Sequence, residues 1–163
     1  IELRLAGQGE EGRWSAVLFG AGDWRTPTEK RGTAPRLEVG DRLVLGGEGE
    51  PLSVRIAAVD PRHHRLVEVE IEADEGVLWD AIYRLGSPIQ YAYLDGELDL
   101  WSVQSVFAGP PWAFEMPSAG RPLSWRVLAR LLGQGVELAA LTHAAGLSST
   151  GDSELDRLIG QGV

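Results

Sequence analysis

The sequence predicts a mixed α/β protein, in which a small antiparallel β-barrel is followed by part of an α/β domain. Three observations lead there. Apolar and polar residues alternate with period two from Ile1 to about Ala73, the spacing turns helical after Ala73, and strand-like and helix-like runs then alternate. The division falls at that change of period, giving a barrel domain over 1–73 and a partial α/β domain over 74–163.

Five strand candidates occupy the first region: IELRL, RWSAVLF, DRLVL, PLSVRIAAV and HRLVEVEIE. In the last, Leu66, Val67, Val69 and Ile71 alternate with Glu68, Glu70 and Glu72, giving one dry face and one acid face. Turns punctuate them at 7–12, 46–51 and 60–64, the last set by Asp60 and Pro61. Closing these strands into a barrel would remove exposed edges.

Beyond Ala73, Val77, Leu78, Ala81, Ile82 and Leu85 recur at helical spacing, with Asp74 and Glu75 at the favourable end of the helix dipole and Gly86 placed for a left-handed C-cap. LWSVQSVFA at 100–108 reads as a buried strand ended by Pro110 and Pro111. Ser124 is an N-cap for a helix with a Trp125, Leu128, Leu131 and Leu132 stripe. GQG at 133–135 stops that helix before an apolar strand, VELAAL, at 136–141. Asp152 caps a last helix with Leu155, Leu158 and Ile159 on one face. The aromatics Trp79, Tyr83, Tyr91, Tyr93, Trp101, Phe107, Trp112, Phe114 and Trp125 are expected mostly in the core.

Composition narrows the function classes. There is no cysteine, which excludes disulfides, thiolate catalysis and cysteine-held metal and fits a reducing cytoplasm. No run reaches the apolar length of a bilayer span. The net charge of −9 argues against bulk attraction to nucleic acid, so any such contact must be local. The chain opens without a methionine and ends just after a helix-like run, as expected of a segment of something larger.

Several motifs carry chemistry only in the right context. Gly7, Gly9 and Gly12 spell the dinucleotide fingerprint, but a strand rather than a helix follows and Glu10 and Glu11 would repel pyrophosphate, so a hairpin turn is expected. His63 and His64 are expected as solvated hairpin residues, because neighbours on a strand face opposite ways and no carboxylate joins them at ligand spacing; no metal site is expected. His143 follows a predicted strand end, where ligand-binding loops gather in α/β layers, and both a base or hydrogen-bonding role and a structural role are open to it. GLSSTGD at 146–152 offers hydroxyls and glycines for a ribose or phosphate, or a cap for the last helix, the cap being favoured.

The stretch EMPSAGRPLSW before the Ser124 cap is stiff, since Pro117 and Pro122 hold their predecessors extended and Gly120 permits close approach. At this point the sequence resembles the S-adenosylmethionine:tRNA ribosyltransferase-isomerases of queuosine biosynthesis. That family carries a Gln-Thr-Val-Tyr-Ala segment, a Pro-Thr-Ala-Gly-Leu-His-Phe loop, a helix, a strand and a Leu-His-Val-Gly turn. QSVFA at 104–108, PSAG at 117–120 and LTHAAGLSS at 141–149 are similar to these in order and spacing. RLEVGDRL at 36–43 and LWDAIYRLGSPIQYAYL at 78–94 extend the likeness over nearly the whole chain, which would be the middle of the family's length. Arg121, Pro122 and Leu123 replace the family's Leu-His-Phe, which removes an ionisable ring, and His143 sits one place early relative to Gly146.

The resemblance implies an enzyme that moves the ribosyl part of S-adenosylmethionine, used as a substrate, onto the 7-aminomethyl-7-deazaguanine base of tRNA to give epoxyqueuosine. It implies Thr142 and His143 at the catalytic centre, with Gln104, Phe107, Pro117, Ser118, Ala119, Gly120, Arg121 and Gly146 binding substrate. Arg121, Arg126 and Arg130 offer either a local tRNA patch or solvated helix side chains. A divergent paralogue acting on another nucleoside or small molecule, and a non-catalytic binding module, are the alternatives.

Overall fold

The computed structural model describes residues 1–46, 51–108, 120–141, 147 and 149–160. All five predicted strands form: β1 (Glu2–Gln8), β2 (Trp14–Phe19), β3 (Arg42–Leu45), β4 (Leu52–Val59) and β5 (Leu66–Ile71). They make one antiparallel sheet in the order β1-β2-β5-β4-β3. The expected closed barrel is not reached: β1 and β3 remain edge strands among the described residues, and the sheet is a curled half-barrel. Register shifts between Leu5 and Gly7 and between Ile56 and Ala58 mark where it bends, since an extra residue on one strand increases local twist. The glycine-rich 7–12 stretch is a hairpin connection between β1 and β2, as expected, while 47–50 lie outside the described residues.

Period two on β2 sends its side chains to two separate cores. Trp14, Ala16 and Leu18 pack with Val54, Ile56, Val67 and Val69 on one face; Val17 and Phe19 pack with Leu66 and with Leu147, Leu155 and Leu158 on the other. The acid face of β5 is paired with arginines. Arg13 pairs with Glu70 at 3.3 Å and Glu68 at 3.8 Å, Arg42 with Glu72 at 3.0 Å, and Arg55, directly opposite Glu70 in the ladder, with Glu70.

Helix α1 (Glu75–Leu85) covers the first core through Leu78, Trp79 and Ile82, with Trp79 edge-on to Trp14 at 5.4 Å. Its end corrects the expectation for Gly86, which is extended (φ −80°, ψ 150°) rather than left-handed. Glycine is needed there for space, because a Cβ would sit 2.6 Å from the Ile82 carbonyl oxygen.

The second half departs further. Residues 100–108 are not a buried strand: α2 (Leu100–Val103) is a single turn, and Trp101 is 85% exposed. Residues 136–141 are not a strand either, and all are exposed. A strand requires a neighbour to satisfy its backbone, and none pairs with 136–141 among the described residues. No α/β layer is therefore present among them. Helix α3 (Trp125–Gly133) forms as predicted, with Ser124 Oγ accepting from the Val127 N–H at 3.4 Å, yet of its expected stripe only Leu128 is buried. Tyr83, Tyr91, Tyr93, Trp101, Phe107 and Trp125 are likewise exposed rather than core, and Trp112 and Phe114 lie outside the described residues. Helix α4 (Ser153–Gly160) behaves as expected, burying Leu155 and Leu158 in the second core.

Candidate functional site

Of the residues singled out in the sequence, Pro117, Ser118, Ala119, Thr142, His143 and Gly146 lie outside the described residues. The structure does place parts of two motifs together. After α2 the chain turns at 105–108, the Ala108 N–H donating to the Ser105 carbonyl at 3.0 Å and the Phe107 N–H to Ser105 Oγ at 3.3 Å. Gly120 opens the next turn, its carbonyl accepting from the Leu123 N–H at 3.1 Å, which delivers the chain to the Ser124 cap. The two turns meet: a Cβ on Gly120 would lie 3.8 Å from Phe107 Cδ2 and 3.9 Å from Ser105 Cβ. Gln104 precedes this contact as the C-cap of α2, and Phe107 is 52% exposed. Arg121, Arg126 and Arg130 are all exposed, which is compatible with both readings of them.

The third motif, LTHAAGLSS, is described at Leu141, Leu147 and Ser149. Leu147 is buried with Phe19 and Leu155, so the downstream end of the motif rests on the outer face of the sheet. The described residues of GLSSTGD, from Ser149 to Asp152, make the contacts of a cap. Asp152 Oδ1 accepts from the Glu154 and Leu155 N–H groups at 3.1 and 3.2 Å, and the hydroxyls of Ser149 and Thr150 are bonded to the Asp156 carboxylate at 3.3 and 2.6 Å. Chiefly through the Leu155 N–H, and then through His63, the Asp152 carboxyl is held below the usual carboxylate range, against the opposing effect of burial.

The histidines of the β4–β5 connection correct a second expectation. His63 and His64 stand in the 60–64 turn, as expected, but they are half-buried rather than solvated, and their rings stack at 5.2 Å instead of facing opposite ways. The His63 side chain is 9% exposed, with Nε2 3.2 Å from Asp152 Oδ2. Burial foremost, aided by the charge of Arg36, lowers the His64 pKa. No group of three or more metal-ligating side chains is assembled among the described residues.

Sequence reasoning missed the guanidiniums gathered on Phe19. Arg4, Arg65 and Arg31 lie 4.1, 4.6 and 5.8 Å from its ring centroid. The Arg31 side chain is 3% exposed and bonds to Glu2 at 2.7 Å and to the Asp23 carbonyl at 2.6 Å, while its Nε and Nη1 are buried without a partner. No period-two or helical pattern signals such a cluster, because its members come from β1, the 20–36 loop and the 60–65 turn. Two clefts lie on the sheet. One of about 240 Å³ is lined by Ala6, Val17, Ala58, Leu66 and Ile159, and a polar one of about 460 Å³ by Glu11, Arg13 and Glu68; neither includes a described member of the expected site.

With this geometry in place, the relatives are informative. The family described as "Queuosine biosynthesis protein" matches residues 1–160. An S-adenosylmethionine:tRNA ribosyltransferase-isomerase from Synechococcus sp. (strain RCC307) is 33% identical over 154 residues, covering 91% of this chain but 42% of that protein. No solved structure matches the chain. No helix among the described residues is long and apolar enough to cross a membrane. A family match running almost from end to end, and a relative of this identity along the same span, establish that the chain belongs to the queuosine biosynthesis protein family.

Proposed function

We propose that this chain is the central part of a cytoplasmic S-adenosylmethionine:tRNA ribosyltransferase-isomerase, which transfers and isomerises the ribosyl group of S-adenosylmethionine onto the 7-aminomethyl-7-deazaguanine base of tRNA to give epoxyqueuosine. Adenine and methionine leave in the reaction. The observation that carries this reading is the order and spacing of the 104–108, 117–120 and 141–149 motifs inside the family match, with Phe107 and Gly120 in adjoining turns.

Such a reaction requires a proton acceptor near the ribose, assistance to two leaving groups and shelter from water. Pro117 to Gly120 shape the ribosyl pocket in this reading, the Phe107 ring and Gln104 border it, and His143 and Thr142 supply its polar contacts with Gly146 allowing close approach. Arg121 contacts substrate from the rim. The net charge of −9 requires that tRNA be met by a local patch, for which Arg121, Arg126 and Arg130 are the candidates.

The test is to incubate the intact protein with S-adenosylmethionine and tRNA carrying the aminomethyl-deazaguanine base, and to analyse the nucleosides. Epoxyqueuosine with release of adenine and methionine is expected, and its absence overturns the assignment. The Arg121-Pro122-Leu123 substitution of the family's Leu-His-Phe favours one second reading, a paralogue acting on another nucleoside. In that case calorimetry shows nucleoside binding without turnover on tRNA.

A further inference from the structure

Period two puts Glu2 and Arg4 on one face of β1, and Glu2 stands directly opposite Phe19 in the β1–β2 ladder. Arg31 reaches the same ring from the 20–36 loop, which folds back on the end of β2. Gly20 permits that fold, because a Cβ there would collide with the Gly32 carbonyl, and the Gly32 N–H donates to the Ala21 carbonyl at 3.2 Å. The cations that meet on Phe19 are unequally provided for. Arg65 donates to the Leu18 carbonyl at 2.7 Å and to the Thr150 carbonyl at 3.4 Å. Burial foremost lowers its pKa, and the charges of Asp152 and Asp156 oppose that effect. Arg4 and Arg31 share one carboxylate, Arg4 Nε bonding Glu2 Oε1 at 2.6 Å and Arg31 Nη2 bonding Glu2 Oε2 at 2.7 Å. Arg31 Nη2 also donates to the Asp23 carbonyl, so Nε and Nη1, with three of the five guanidinium N–H groups, are buried and have no acceptor among the described residues. Buried donors are almost always bonded, and leaving a charged one unmet costs more than the bond it would make.

We propose that Arg4 and Arg31 form a binding site for a tetrahedral dianion, a free phosphate or the terminal phosphate of a monoester, which takes the place of the Glu2 carboxylate. Charge and shape both favour such a ligand. Two guanidiniums face one carboxylate, so a dianion in its place neutralises the pair. A flat carboxylate spends both oxygens on one bond to each arginine, whereas a phosphate group presents further oxygens to Arg31 Nε and Nη1 and matches the guanidinium fork. Glu2 is the way in. Its side chain is 30% exposed, against 3% for Arg31, so it can swing to solvent from the start of an edge strand while the arginines stay in place. The depth of Arg31 selects a small anion or a chain-end phosphate over an internucleotide diester, which carries one charge and bulk on both sides. Binding fastens the 20–36 loop to the start of β1, and a ligand held by the folded state alone raises stability by mass action. The functional reading above is not needed for any of this.

The experiment titrates the intact protein, Glu2→Ala, Arg4→Gln and Arg31→Gln with sodium phosphate against sodium chloride at matched ionic strength. Thermal midpoint and calorimetry are read at about pH 8, where a phosphate group carries two charges. The parent midpoint is expected to climb with phosphate and not with chloride. Glu2→Ala, which removes the competing carboxylate, should bind phosphate about 10-fold more tightly or better. Arg4→Gln and Arg31→Gln should lose the response, and if Arg31→Gln does not fold, Arg4→Gln decides on the same measurements. A parent indifferent to phosphate up to about 10 mM overturns the proposal, whatever Glu2→Ala does. A response that survives in the folded arginine variants places the anion elsewhere and overturns it too, as does sodium acetate acting as strongly as phosphate. Adenosine 5′-monophosphate in the same titration names the source: tighter binding than free phosphate assigns a monoester, weaker binding assigns the free ion, and both uphold the site.

Discussion

WSAVLF at 14–19 and VELAAL at 136–141 are apolar runs of equal length with opposite fates. The first is central in the sheet, flanked by β1 and β5, and is buried at every position except Ser15. The second has no strand beside it among the described residues and is exposed throughout, Leu141 at 87%. Apolar patterning states that a segment can be buried; a neighbour decides whether it is. The same contrast holds more widely, since the strands of the first 73 residues pair into one sheet, whereas many of the described large apolar side chains between 83 and 141 face solvent.

This contrast predicts a steep gradient of mutational effects. Phe19→Ala removes a ring that is 1% exposed and carries three stacked guanidiniums, and should cost about 3–5 kcal/mol in urea unfolding. A cost below about 1 kcal/mol would show that the outer core is not as closed as its burial states.

Asp152→Ala, which removes the α4 cap, should cost about 1 kcal/mol at neutral pH. The carboxyl is depressed in the folded state, so its stabilisation is present above the ordinary carboxylate pKa and is lost as pH falls through the folded-state value. The parent and the alanine variant should therefore converge in unfolding midpoint on acidification. A gap that stays constant down to about pH 2 would mean that Asp152 contributes nothing through its charge.

Arg55→Ala breaks the cross-strand pair with Glu70 on a partly exposed face and should cost about 0.5 kcal/mol, less in high salt. Salt-independent loss would point to packing of the arginine stem instead. Smallest of all, Trp125→Ala should change stability by less than about 0.5 kcal/mol, because the side chain is 70% exposed. A loss above about 1 kcal/mol would erase the distinction between the two regions by showing that α3 buries its aromatic face in solution.

The elements best legible in the sequence were those defined by local rules. Alternation marked β5, and oxygen-bearing side chains at Ser124 and Asp152 marked the starts of α3 and α4, because a cap is decided within one turn of backbone. Glycine at 86 is legible as a helix stop but not in its cause, since a side chain there would meet a carbonyl of the preceding turn and its own φ is ordinary. The turn holding His63 and His64 is legible in the sequence, but their burial is not, because the contact of His63 with Asp152 joins residues 89 apart. Of the candidate site, the meeting of Phe107 with Gly120 follows motif order. The bond from the Arg65 guanidinium to the Thr150 carbonyl, at 3.4 Å, has no signature in the sequence, because it joins a hairpin to a helix start 85 residues away.

By itself, the sequence determined the five strands, the helices α1, α3 and α4, the Ser124 and Asp152 caps and the family, all of which depend on periodicity, short-range hydrogen bonding or motif order. Tertiary structure alone decided that the sheet stays open among the described residues, that one apolar run is buried and another is bare, and that three guanidiniums share one ring. These outcomes depend on which segments lie side by side, and a hydrophobic or charged side chain carries no record of its neighbour until the chain has folded.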